Sequence, residues 1–133
     1  MSFSGFPEVQ ALASELSRVL NQYQADVDEL VSHKLETPVH RRVSADIDRI
    51  RRCSAPVPEL SVPTTAVLIA HSEVIYALWR AEFREPPISA DEVARILAEH
   101  HACVQRLIRC CERYLAAPPA SLPAAGQPAL RAS

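Results

Sequence analysis

The chain has 133 residues and a formal net charge of −2, enough for one domain and too short for two of ordinary size. Glycine occurs only twice and aromatic residues make up 5%, which excludes Gly-rich phosphate loops and argues against a strand-rich fold with tight turns. The near-neutral balance excludes a generally basic nucleic-acid binder and a generally acidic solvating chain.

Pro7 opens the first predicted helix, which runs to about residue 36. Its apolar residues, from Val9 and Leu12 through Leu16, Leu20 and Tyr23 to Val27, Leu30 and Val31, recur at 3–4 spacing, as one buried stripe requires. Thr37-Pro38 reads as an N-cap and first-turn proline for a second helix over 38–54. Pro38 either separates these two helices or kinks one long helix. Residues 55–62, with Pro56 and Pro58, read as an extended linker, and Pro63 starts a third helix to about residue 84. That helix has the widest apolar face and is expected to be the most buried. Glu85-Pro86-Pro87 ends it, and Ser89 with Glu92 forms a capping box for a fourth helix over 89–116.

Long amphipathic helices joined by short connections predict an all-α antiparallel four-helix bundle over residues 1–116. Residues 117–133 hold four prolines among Ala, Ser, Gly and Gln, and read as a disordered tail. Residues 7–36 carry six acidic and two basic residues, whereas 38–54 carry five arginines against two aspartates. Helices of such opposite sign suit each other as neighbours. Glu8, Glu15 and Arg18 break any secretory core, and the apolar run 66–79 is too short to span a bilayer, so cytoplasmic residence is expected. The four cysteines read as reduced thiols.

Ser32-His33-Lys34-Leu35-Glu36-Thr37-Pro38-Val39 resembles the H-box of sensor histidine kinases, usually Ser-His-Glu-Leu-Arg-Thr-Pro-Leu. The resemblance implies that His33 accepts phosphate on a helix of a dimeric four-helix bundle. Lys34 replaces the acid that assists transfer, and Glu36 replaces the family's arginine. The chain contains no nucleotide-binding glycine motif, so the resemblance implies at most a relay of phosphate between partners. On a helical wheel His33 lies roughly 100° from the stripe centre, within reach of solvent.

His71 is central on the apolar face of the third helix, and His100 is central on that of the fourth. An antiparallel hairpin turning near residue 86 places His71, His100 and Cys103 within about one turn of each other. Two readings follow: imidazoles that satisfy each other inside the core, or ligands for zinc or copper. Arg41, Arg42, Arg49, Arg51 and Arg52 make the second helix basic. Asp46 and Asp48 interrupt them and no aromatic residue interleaves, so a partner-binding face fits better than a nucleic-acid grip. With no nucleophile–base pair and no nucleotide loop, the sequence predicts a non-enzymatic protein-interaction module, a regulatory adaptor or chaperone-like protein. It calls for no cofactor, nucleic acid or membrane, and it allows a homodimer. Phosphate relay through His33 and metal binding through His71, His100 and Cys103 are the alternatives.

Overall fold

The computed structural model describes residues 6–33 and 36–116. Four helices follow one another: α1 (Phe6–His33), α2 (Thr37–Ser54), α3 (Ser61–Phe83) and α4 (Ala90–Ala116), with a short 3-10 turn at Pro58–Leu60 between α2 and α3. α1 packs along α2 and α4, α3 packs along α4, and α2 meets α3 only lightly. This is the predicted helical bundle. The 117–133 tail lies outside the described residues.

Pro38 separates two helices. Proline disfavours helical backbone in the residue before it, and its own ring suits a first turn. α1 therefore ends at His33, Glu36 is extended (φ −57°, ψ 138°), and α2 begins with proline in its first turn. The expected Thr37 cap is corrected by one place: Glu36 holds the N-cap position without a capping side-chain bond, and Thr37 is already helical. The expected linker is also more ordered than its prolines imply. Val57 and Leu60 are buried there, and their apolar side chains draw the segment into the 3-10 turn. At α4 the Ser89 half of the capping box forms, with the Glu92 backbone N–H donating to Ser89 Oγ at 3.1 Å, while the Glu92 carboxylate pairs with Arg95.

Leu16, Leu20 and Leu30 of α1, Ile50 of α2, Leu60, Val67 of α3, and Val104 and Leu107 of α4 form the centre of the core. Each such side chain contributes about 1.5–3 kcal/mol relative to exposure. α3 is not the most buried helix: six of its 23 residues are buried, against six of 18 in α2. Its apolar residues encircle it, and the bundle covers only one side.

Candidate functional site

α3 has two faces of unusual character, and they meet different surroundings. The inner face carries His71 into a buried polar cluster. Tyr23 of α1 is fully buried in the apolar stripe, so its hydroxyl must find a partner inside the protein. It finds two: His71 Nδ1 at 2.9 Å and His100 Nε2 at 2.8 Å. A phenol has one proton and can accept another. One imidazole therefore donates N–H to Tyr23 Oη, while Tyr23 donates its O–H to the bare nitrogen of the other. The rings lie tilted against the phenol with centroids 5.8 and 5.4 Å away.

The imidazole that accepts from Tyr23 must be neutral, and burial disfavours charge on both rings. Burial holds the His71 pKa down to about 4, helped by the positive groups His40 and Arg51 on α2. His100 is also held at about 4, by burial and by the neighbouring His71 and His101. Burial, with the charge of Asp46 nearby, raises the Tyr23 pKa and keeps the phenol protonated.

The α1–α2 interface next to this cluster encloses two carboxyls, Asp26 and Asp46, only 4% and 2% exposed. Burial pushes the Asp46 pKa up, and a hydrogen bond with Asp26 adds to the rise. No donor reaches Asp46 Oδ2 among the described residues. The neighbouring Asp26 carboxyl disfavours ionisation of Asp46, because two close carboxylates repel. The remaining lone pairs are served by Gln22 Nε2 on Asp26 (3.1 Å), Arg42 Nε near Asp26 (3.5 Å) and Arg49 Nη1 on Asp46 (3.2 Å). Arg42 also pairs with Glu29. Arg42 thus links α2 to α1 and Arg49 pairs within α2; all five arginines are exposed.

The structure places the three candidate metal ligands as follows. His71 and His100 meet as the hairpin register predicts, but on the Tyr23 hydroxyl, and Cys103 is only half-buried. Among the described residues no three His, Cys, Asp or Glu side chains converge to hold a metal ion. The four cysteines are free thiols, and burial pushes the Cys111 thiol up to about 12, away from nucleophilic use. His33 is exposed at the end of α1, with Nδ1 3.8 Å from Glu36 Oε1.

The outer face of α3 is apolar. Val62 (80% exposed), Ile69 (57%), Tyr76 (54%) and Phe83 (64%) recur at seven-residue spacing, with Trp79 (40%) beside them. Tyr76 and Trp79 stack at 6.2 Å, Phe83 leans on Trp79, and the Arg80 and Arg84 guanidinium groups lie over Tyr76 and Trp79. Thr65, Ser72 and Trp79 fall at the fourth place of the same heptads, so the face has the a/d layout of a helix-pairing seam. A cleft of about 270 Å³ between α3 and α4 adjoins it, lined by charged residues including Glu73, Arg80, Arg95 and Glu99. Tyr23, His71 and His100 do not line that cleft.

By length and composition, residues 58–83 are one helical stretch apolar enough to cross a membrane, and a third of its most apolar window is buried in the fold. The search of protein-family models, curated proteins and solved structures finds no match for this chain.

Tyr23, Asp26 and Asp46 are the site residues that sequence reasoning misses. A signal existed for each, Asp26 lying three residues after Tyr23 and four before Leu30 in the stripe of α1. Tyr23 lies mid-stripe with a hydroxyl to satisfy, and Asp46 lies three residues after Val43 and four before Ile50, in line with the core positions of α2.

Proposed function

We propose that this protein is a non-enzymatic helical interaction module whose contact surface is the outer face of α3. The exposed heptad-spaced stripe Val62, Ile69, Tyr76 and Phe83 carries this reading. Isolated exposed apolar residues are ordinary, whereas a contiguous aromatic-rich band marks an interaction site. Tyr and Trp are also the residues that most often dominate contact energy.

The buried cluster supports a structural role for the interior. Its imidazoles have pKa values too low for a general base near neutral pH, its phenol is held protonated, and the cleft is elsewhere. Arg41, Arg51 and Arg52 enter the reading as a secondary basic face, since Arg42 and Arg49 are engaged with carboxylates. The test places a photo-crosslinking residue at Ile69 or Phe83, with exposed Arg106 on α4 as the control position. Protein adducts are expected from the α3 positions only, and lost with Tyr76→Lys. Equal labelling from Arg106 overturns the reading.

The accessibility of His33 favours a second reading, a phosphate relay through this imidazole. It predicts acid-labile phosphate transferred from acetyl phosphate and abolished by His33→Ala. Absence of label on the intact chain removes it.

A further inference from the structure

Resting on the interaction-module reading, we infer that the occupant of the α3 outer face is a second copy of this chain, with the two α3 helices antiparallel across a two-fold axis near residue 74. The seam itself carries the argument. On a straight helix at about 100° per residue, Val62, Thr65, Ile69, Ser72, Tyr76, Trp79 and Phe83 fall in one band opposite the buried residues Val67, Val74 and Leu78. Seven-residue spacing matches another helix, because a partner helix presents its side chains with the same repeat.

Size along the band then selects the partner and its direction. The N-terminal half offers Thr65, Ile69 and Ser72, and the C-terminal half offers Tyr76, Trp79 and Phe83. Antiparallel heptads pair each a position with a d position of the partner. In the register where paired residue numbers sum to 148, Phe83 faces Thr65, Trp79 faces Ile69 and Tyr76 faces Ser72, each pair occurring twice about the axis. Every layer then holds one bulky and one smaller side chain, which fills a seam evenly. A parallel pair instead sets Ser72 against Ser72 and Trp79 against Trp79, leaving a void and a clash. Antiparallel packing also opposes the helix dipoles favourably.

Area is sufficient. A whole aromatic side chain covers about 150–250 Å², so the exposed fractions of Val62, Ile69, Tyr76, Trp79 and Phe83 amount to roughly 500–600 Å² per chain. Complete burial of these surfaces in two copies would remove about 1,000–1,200 Å² in total, near the lower limit of about 1,000 Å² for a biological interface. Glu73 lies beside the axis, and Arg80 and Arg95 of the same chain line its cleft and offset the approach of the two carboxylates.

The full chain in sedimentation equilibrium over a dilution series tests this, with emission of Trp79, the single tryptophan, read in parallel. A dimer of the 14.7 kDa chain is expected, with blue-shifted emission at high concentration. Tyr76→Lys should weaken association at least about tenfold with helicity unchanged. Ser72→Phe and Tyr76→Ala should each weaken it, and the double variant, which conserves the volume of that layer, should recover it. A chain monomeric throughout, or a dimer undiminished by Tyr76→Lys, overturns the inference. So does a monomer that binds phosphatidylcholine–phosphatidylserine vesicles through this face. Failure of the double variant to recover overturns the antiparallel register. A monomer whose α3 positions still crosslink a different protein overturns the second copy while leaving the interaction-module reading standing; loss of both removes both.

Discussion

The two faces of α3 reverse the usual arrangement. Its inner face brings His71 to a buried hydroxyl and a second imidazole, while its outer face exposes Tyr76, Trp79 and Phe83 to solvent. The Tyr23 hydroxyl and the imidazole nitrogens that face it satisfy one another, so they cost little once formed, but each depends on the others. The outer apolar groups are only partly covered when the single chain folds, so they gain less from it than core residues do. The contrast separates residues that hold the bundle together from residues that the proposed contact would use.

The largest expected effect breaks the inner face. Tyr23→Phe removes the hydroxyl shared by His71 and His100 and leaves buried imidazole nitrogens unpaired, at about 1–3 kcal/mol each. Urea unfolding should show a loss of about 2–4 kcal/mol. Replacing all three together, by Tyr23→Phe, His71→Leu and His100→Leu, should recover much of that loss, because an apolar layer carries no unmet hydrogen bond. A triple variant weaker than Tyr23→Phe alone would show that the cluster contributes more than mutual satisfaction.

Acid titration sharpens the same face. Both imidazoles have folded pKa values of about 4, below the ordinary 6.5. Between these values the unfolded chain binds protons that the folded chain does not. Their contribution is complete above 6.5 and lost as pH falls toward 4. Asp46 acts with the opposite sign: its raised pKa favours the protonated folded state, so its contribution is present below 3.8 and lost as pH rises through the raised value. Two imidazoles outweigh one carboxyl. Unfolding free energy should therefore rise from pH 4 to 6.5 by on the order of 2–3 kcal/mol, and more steeply in Asp46→Asn. A flat or falling profile contradicts the assignment.

The smallest effect belongs to the outer face. In dilute solution Ile69→Lys should change unfolding free energy by less than about 0.5 kcal/mol, as exposed positions do. A loss as large as that of Tyr23→Phe would mean that this face belongs to the single chain's own core.

The same contrast shows what the sequence made legible. Pro7, Pro38, Pro63 and Glu85-Pro86-Pro87 bracket the helices, since proline suits a first turn and stops a helix interior. The 3–4 spacing identifies the stripes of α1 and α4, and the hairpin register brings His71 to His100. What stayed hidden has a physical reason. α3 is apolar nearly all round, and such a pattern reads as deep burial whether the second face meets the core or a neighbouring molecule. The burial of Asp26 and Asp46 stayed hidden because the pattern of one helix does not display the neighbouring helix that covers them. Helical spacing alone groups Cys103 with the histidines. The third partner is Tyr23, which comes from α1, outside that hairpin.

Concentration dependence of thermal unfolding tests the division of roles most directly. A chain that pairs through α3 is stabilised by mass action, so its Tm rises with protein concentration. The expected result is a rising Tm in the wild type, a flat Tm in Tyr76→Lys, and a lower but still rising Tm in Tyr23→Phe. A wild-type Tm independent of concentration, or a dependence that Tyr76→Lys leaves intact, would contradict it.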